Sequence, residues 1–213
     1  MQNVFKQANF DIFEIEGLEN RMAYIRKDIQ PIFQALGDTF TPIVAEKTGY
    51  PMFFHIAQHR RRTSNPPEST WCAIGGDKRG YKKYPHLQIG INDDHIFIFL
   101  SIIDNPIYET EMGKALLLHP DHWKALDDSY VLSGDHTKPT IEPLTEKAGV
   151  QILERLLKVK KGEFLIERVI ENGSSLLENP EAQSKFIKKT ISQLIPLYRQ
   201  LLDIHFEQSG PAL

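Results

Sequence analysis

The chain has 213 residues, 41% of them hydrophobic and 25% charged, which are ordinary values for a folded globular protein. Its single cysteine, Cys72, excludes an intrachain disulfide, and no apolar run approaches the ~20 residues that a membrane-spanning helix needs. The N-terminus lacks the basic and apolar stretches of a signal peptide. We therefore expect a cytoplasmic protein without a membrane partner, folded as a single α+β domain over residues 1–213.

The net charge of −3 conceals a basic segment between His59 and Lys83. Seven cations and two anions give this segment a charge of +5, which leaves −8 for the rest of the chain. A local basic segment on an acidic protein favours a specific anionic ligand over general coating of nucleic acid. A basic loop that simply faces solvent accounts for the same charges equally well.

The N-terminal part of the chain predicts an edge strand followed by two helices. Alternating apolar residues place the strand at residues 10–15. Apolar residues at helical spacing place a long helix over residues 18–36, and a second, short helix follows it. The residues expected to kink, end or start these helices are, in chain order, Pro31 (kink or break), Gly37 (end), Thr41 and Pro42 (start) and Gly49 (end).

The middle of the chain predicts four strands, at residues 52–58, 70–74, 86–91 and 95–103. The turn signature Asn92-Asp93-Asp94 joins the last two into an antiparallel hairpin. The fourth strand is apolar on both faces, which predicts a central strand that is covered on both sides.

The second half of the chain predicts mainly helices. Strands grouped in the middle with helices at the ends indicate an α+β fold, with a mostly antiparallel central sheet flanked by helices and with long N- and C-terminal helices. The expected elements are a helix from Asn105-Pro106 to Leu118, a short helix at 122–126, a strand at 130–133, a helix from Pro143 to Gly162, a strand at 164–170 and a final helix from Pro180 that bends at Pro196.

Three features that suit an anionic ligand coincide in the basic segment. Three arginines follow the end of a strand, and their planar guanidinium groups match phosphate or carboxylate. A glycine-containing turn follows the next strand, where backbone N–H groups can approach a ligand beside further cations. Aromatic residues interleave with these charges, as in surfaces that stack a base or a sugar. The residues expected to contact the ligand are Arg60, Arg61, Arg62, Trp71, Lys78, Arg79, Tyr81 and Lys82.

Three polar residues on the predicted strands could form the floor of such a site. His86 shares a strand face with Gln88, and His55 projects from a neighbouring strand. If these faces meet in the sheet, they make a polar floor beside the basic loops. Each residue taken alone is equally consistent with a hydrogen-bonded position in the core or at its rim.

The segment matches no sharp fingerprint. Gly75 and Gly80 have the spacing of a P-loop, but Tyr81 follows where the motif requires lysine, and the segment lies between strands. No G-x-G-x-x-G run occurs. His119 and His122 could ligate a metal ion, but the intervening Pro120 disfavours a regular helix and no further ligand is fixed, so we predict neither a metal nor a cofactor.

Several runs in this region carry a family resemblance. The residues 61–67, Thr70-Trp71, 78–82 and 85–90, together with the opening Phe10-Asp11-Ile12-Phe13, resemble the YktB-like family of uncharacterised proteins from low-GC Gram-positive bacteria. The resemblance covers nearly the whole chain. It implies an α+β fold built on an antiparallel sheet and carries no assigned activity.

The function that these observations favour is the binding of an anionic small molecule, such as a nucleotide or another phosphate compound. An alternative is an enzyme of phosphoryl or adenylyl transfer, with His55 or His86 as acid or base. A third is nucleic-acid or protein binding through the same basic face, which the overall charge of −3 disfavours for nucleic acid. The oligomeric state is not predicted.

Overall fold

A computed structural model describes residues 4–103, 106–138 and 141–209. The strands are β1 (Phe53–Ile56), β2 (Ser69–Gly75), β3 (His86–Asn92), β4 (His95–Ile102), β5 (Val131–Ser133), β6 (Glu142–Pro143) and β7 (Phe164–Glu171). They form one sheet in the order β1-β2-β3-β4-β7-β5-β6, and all neighbouring strands are antiparallel. The predicted α+β fold with an antiparallel sheet is confirmed, and β4 is its central strand.

The helices precede, interrupt and follow the strands. Within the described residues, no helix combines the length and apolar character that crossing a bilayer requires. The α-helices are α1 (Leu18–Tyr24), α2 (Gln30–Thr48), α3 (Glu109–Leu118), α4 (Asp121–Lys124), α5 (Glu146–Lys158) and α6 (Pro180–Ser209). Short 3₁₀ turns occur at Gln7–Asn9, Asp11–Glu14 and Ser175–Leu177, and a π-helical segment spans Ile25–Ile29. The predicted helix start at Asn105 lies outside the described residues.

The two faces of the sheet are covered differently, and we call them the helix face and the loop face. The helix face carries alternate strand residues such as Ile96, Ile98 and Leu100, which share one large hydrophobic core with all the helices that contribute to a core. The loop face carries the residues in between. Its small apolar cluster consists of Phe99, Ile103 and Leu165, with Phe97 packed against it, and includes no helical residue.

The predicted strand at residues 10–15 is wrong, because this segment forms a 3₁₀ turn over Asp11–Glu14. A strand would have sent Phe10 and Ile12 to one side and Phe13 to the other. All three are instead buried in the same large core, at 2%, 4% and 7% exposure. A tight helical turn lets neighbouring residues point inward together, which an extended chain cannot do.

The predicted break near Pro31 is replaced by a change in helix type. Proline lacks an N–H group, and its ring crowds the carbonyl group four residues earlier. The π-helical segment Ile25–Ile29 widens the turn immediately before Pro31, which becomes one of the first residues of α2. The helical direction therefore continues past the proline.

The predicted end at Gly37 and the predicted start at Thr41-Pro42 are also wrong, since α2 runs without interruption to Thr48. Gly37 serves as a contact: a Cβ atom there would lie 2.5 Å from Cζ of Phe54, so the glycine lets α2 approach β1 closely. Gly49 ends the helix as predicted, in the left-handed conformation at φ 78°.

The predicted helix start at Pro143 is wrong as well. Pro143 belongs to the short edge strand β6 and pairs with Val131, a position where proline is tolerated because no ladder hydrogen bond is lost. Helix α5 begins at Glu146, after Thr145, whose Oγ1 accepts a hydrogen bond from the N–H group of Ala148 at 3.2 Å.

Candidate functional site

The loop face brings together the three residues proposed as a polar floor. His55 on β1 pairs with Ala73 on β2, and Ala73 pairs with Gln88 on β3, so these three lie in one row across the sheet. His86 lies two residues before Gln88 on the same face. His55 is half-buried, whereas His86 and Gln88 are 0% and 5% exposed.

His86 and Gln88 hold each other through a hydrogen bond of 2.9 Å between the Gln88 amide nitrogen and Nε2 of His86. Nδ1 of His86 lies 2.9 Å from the carbonyl oxygen of Tyr84. Because a carbonyl can only accept, Nδ1 carries a proton and Nε2 accepts from the amide. Both ring nitrogens are thus engaged, which argues against His86 as a proton-transferring group.

The β2–β3 loop folds back over the loop face through Tyr81. A Cβ atom on Gly75 would lie 2.7 Å from Cβ of Tyr81, so this glycine allows the tyrosine to rest against β2. The Tyr81 hydroxyl accepts a hydrogen bond of 2.7 Å from Nε1 of Trp71, and its ring packs edge-on against His86 at 4.7 Å. Since Gly75 and Trp71 lie four residues apart on one face, the Tyr81 side chain covers the strand between them.

A second anchor fixes the start of the same loop. Nε2 of His55 donates a hydrogen bond of 2.9 Å to the carbonyl oxygen of Asp77. The exposed residues Lys78 and Arg79 therefore lie on a turn held at Asp77 and at Tyr81. Among the described residues, neither cation pairs with a carboxylate, and the Asp77 carboxylate accepts from the backbone N–H group of Arg79 at 2.8 Å.

The three arginines lie at the other end of β2. Strands β1 and β2 are antiparallel, so the β1–β2 loop leaves the sheet beside Ser69, whereas the β2–β3 loop leaves it beside Gly75. Six residue steps of roughly 3.3 Å separate these ends by about 20 Å. Arg60, Arg61 and Arg62 are exposed, and they do not join Lys78, Arg79 and Lys82 in a single cluster of charges.

The β1–β2 loop is nevertheless attached to the same aromatic group. His59, in a left-handed conformation at φ 50°, packs edge-on against Trp71 at 5.4 Å, and its Nε2 lies 3.1 Å from Oγ1 of Thr70. Burial, with a smaller contribution from the Arg62 cation, lowers the pKa of His59 to about 4. Trp71 is thus the point at which both basic loops meet the sheet.

Glu167 is a functional candidate that sequence reasoning missed. It lies on the loop face of β7 between Phe99 and Val131, with Leu165 and Val169 before and after it on that face. It is 6% exposed, and no described residue gives its carboxyl group a hydrogen bond or an ion pair. This apolar burial raises the pKa of Glu167 to about 7, against a small opposing effect of His95.

Two phenylalanines form a flat aromatic surface beside Glu167. The rings of Phe97 and Phe99 are nearly parallel, at 13°, with centroids 5.3 Å apart. Phe97 lies over Gly90, where a Cβ atom would come within 2.1 Å of its Cζ. Phe99 pairs with Gln88 on one side and with Glu167 on the other, so the aromatic surface lies between an amide and a carboxyl group.

Comparison with known proteins now decides the family. A domain of unknown function (DUF1054) matches residues 5–198. A UPF0637 protein of Enterococcus faecalis is 46% identical over 196 residues, which cover 92% of this chain and 97% of that protein. A UPF0637 protein of Oceanobacillus iheyensis is 43% identical and covers 94% and 98% of the two chains. The chain belongs to the DUF1054 family.

The resemblance to uncharacterised proteins of low-GC Gram-positive bacteria is therefore confirmed. A UPF0637 protein of Lactococcus lactis, 42% identical, is matched over its full length. For a DUF1054 protein, the family assigns no activity, so function has to be argued from the site itself.

Two other groups of polar residues in this DUF1054 chain have structural explanations. In the described part of the chain, Asp135, His136 and Glu163 are the one group whose potential metal-ligating atoms converge, within 4.8 Å of one another. His136 already forms an ion pair with Glu163 at 2.9 Å, and Asp135 accepts hydrogen bonds from Thr137. His119 and His122 instead line a surface groove of about 610 Å³ against α6.

Proposed function

We propose that this protein binds an anionic small molecule, a nucleotide or another phosphate compound, on the loop face of the sheet. The observation that carries the proposal is the hydrogen bond between Trp71 and Tyr81, because it ties the cationic β2–β3 loop to the face that bears His86 and Gln88. Free cations and an aromatic surface are thereby held beside one another, as recognition of a phosphate ester requires.

Lys78 and Arg79 are the primary anion contacts in this proposal. They are exposed on a turn anchored at both ends, and no described carboxylate neutralises them. Lys82 lies just beyond the second anchor and adds a third positive charge to the same end of the sheet. Trp71 or Tyr81 stacks on the ligand, and Gln88, which His86 and β3 hold in place, orients it.

Arg60, Arg61 and Arg62 have a different part in this proposal. About 20 Å of strand lies between their loop and the β2–β3 loop, so one phosphate group cannot contact both. We assign the arginines to attraction of the ligand from a distance, or to a second anionic group of an extended ligand. Their removal should weaken binding less than removal of Lys78 and Arg79, and the loss should shrink as salt screens the charges.

The test is a thermal-shift panel on the full chain with nucleoside phosphates, sugar phosphates and pyrophosphate at 1 mM. A ligand with a Kd of 10–100 µM should stabilise the protein by roughly 1–3 kcal/mol. The double variant Lys78→Ala/Arg79→Ala should lose most of this effect. The matched control is Lys188→Ala/Lys189→Ala, which removes two exposed cations from α6 and should leave it intact. A panel without any shift, or an unchanged response of the double variant, contradicts the proposal.

A further inference from the structure

Glu167 is an unusual residue for the middle of a sheet. Its four nearest neighbours on the loop face are Phe99, Val131, Leu165 and Val169, and each is apolar. A carboxyl group that is 6% exposed and has no hydrogen-bonding partner among the described residues costs folding free energy in either protonation state. A ligand that donates a hydrogen bond would remove that cost when it binds.

The carboxyl group lies close to a surface that solvent reaches. Phe97, Val131 and Val169 are partly exposed, although Phe99 and Glu167 between them are buried. The two phenylalanine rings, parallel within 13°, offer a flat apolar area at the edge of which Glu167 stands. This combination suits a planar ring that stacks on the aromatic side chains and presents N–H groups to the carboxyl oxygens.

The charge around the site narrows the class of ligand further. A carboxyl group beside aromatic rings also suits an ammonium ion. The basic segment that borders the loop face carries +5, however, and repels a cationic ligand. A neutral heterocycle carrying an amino group meets both conditions, because it donates N–H without a positive charge.

We propose that Glu167, Phe97 and Phe99 form a subsite for a planar nitrogen heterocycle with an amino group next to a ring nitrogen, as in adenine or cytosine. The amino group donates to one carboxyl oxygen, and the protonated carboxyl oxygen donates to the ring nitrogen. Gln88, on the other side of Phe99, is available to a second polar edge of the same ring. This inference rests on the proposed function, since the heterocycle would belong to the same ligand as the phosphate.

The test compares nucleotides that share a phosphate but differ in the heterocycle. We expect AMP to bind the full chain at least 10-fold more tightly than IMP, or CMP more tightly than UMP, by isothermal titration calorimetry at pH 6.5. The variant Glu167→Met keeps the apolar packing and should abolish this preference while phosphate-dependent binding remains. Glu171→Met, which changes an exposed residue on the same face of the same strand, should keep the preference.

The possible results separate this inference from the proposed function. Equal affinities within both nucleotide pairs would overturn the heterocycle subsite and leave phosphate binding in place. Free adenine and cytosine test the subsite without any phosphate: their binding with loss in Glu167→Met supports it even if no phosphate compound binds. If the free bases and all four nucleotides leave the protein unbound, both proposals fail.

Discussion

The helix face and the loop face of this sheet are built from alternate residues of the same strands, yet they differ in chemistry. The helix face is almost entirely apolar and packs against α2, α5 and α6. Among the described strand residues, five of the six buried polar or charged ones belong to the loop face, the sixth being Thr70. The five are His86, Gln88, Ser101, Ser133 and Glu167.

The difference follows from what covers each face. A helix presents side chains and satisfies its own backbone, so the strand residues beneath it are best when apolar. Loops bring backbone carbonyl groups and polar side chains over the sheet, and these can bind polar strand residues. Asp77 and Tyr84, for example, accept hydrogen bonds from His55 and His86. The loop face is therefore where a polar ligand can find partners, and the following predictions test that contrast.

The largest difference is expected between two neighbouring residues of β4. Ile98 is 0% exposed under the helices, and Ile98→Ala should lower the free energy of unfolding by about 2–5 kcal/mol, since it leaves a cavity in the large core. Phe97 is partly exposed on the loop face, and Phe97→Ala should cost only about 1–2 kcal/mol despite removing a larger group. Urea unfolding measures both. An equal or greater loss for Phe97→Ala would contradict the contrast between the faces.

The next effect is a change of stability with pH at Glu167. Its pKa rises from the ordinary 4.5 to about 7 on folding, so between these pH values the unfolded chain releases a proton that the folded protein keeps. The free energy of unfolding therefore falls as pH increases from 4.5 to 7 and stays low above pH 7. Glu167→Gln does not titrate, so its stability relative to the natural protein should improve by about 3 kcal/mol from pH 4.5 to pH 8.

Chemical unfolding at several pH values measures this difference. Glu171→Gln is the matched control, because Glu171 is an exposed carboxylate on the same face of the same strand. A difference for Glu167→Gln that does not vary with pH, or the same slope in Glu171→Gln, would show that the carboxyl group is not held neutral by burial.

A smaller effect is expected where the basic loop meets the sheet. Tyr81→Phe removes the hydroxyl that accepts from Trp71 and should cost about 1 kcal/mol of stability. The loop carrying Lys78 and Arg79 should then open more often, so trypsin should cleave there faster in the folded protein. Tyr24→Phe, at an exposed tyrosine of α1, is the control. Unchanged cleavage in Tyr81→Phe would mean that the hydrogen bond does not hold the loop.

The sequence predicted the sheet better than the helices around it. Alternation and the Asn92-Asp93-Asp94 turn define strands locally, and the β3–β4 hairpin has the predicted pairing. Gly37 could not be interpreted in the same way, because its role depends on contact with Phe54, which is distant in sequence. A glycine that ends a helix and a glycine that admits a neighbouring ring look alike in one sequence.

The candidate site was likewise predicted only in part. Strand alternation was enough to place His86 and Gln88 on one face. The distance between the two basic loops depends on strand direction, which charge counts do not contain. Glu167 was missed because a charged residue that alternates with Ile166 and Arg168 indicates an exposed position. Its burial follows from the cross-strand neighbours Phe99 and Val131, which pairing register alone determines.

The smallest effect concerns His59, the residue that joins the arginine loop to Trp71. Burial first, and the Arg62 cation second, lower the pKa of His59 from 6.5 to about 4 on folding. As pH falls from 6.5 to 4, the unfolded chain therefore takes up a proton that the folded protein excludes, and the stability contributed by His59 is lost. Because solvent screens this partly exposed ring, the loss should amount to roughly a few tenths of a kcal/mol.

The variant His59→Asn keeps a residue that tolerates the left-handed backbone but does not titrate. The stability advantage of the natural protein over this variant should shrink between pH 7 and pH 4.5, as measured by urea unfolding. His122→Asn, at an exposed histidine of α4, should leave the pH dependence unchanged. If an anionic ligand neutralises Arg62, its addition should raise the pKa of His59, which would connect the arginine loop to the binding site. A ligand that binds without changing the His59 titration would place the anion at Lys78 and Arg79 alone.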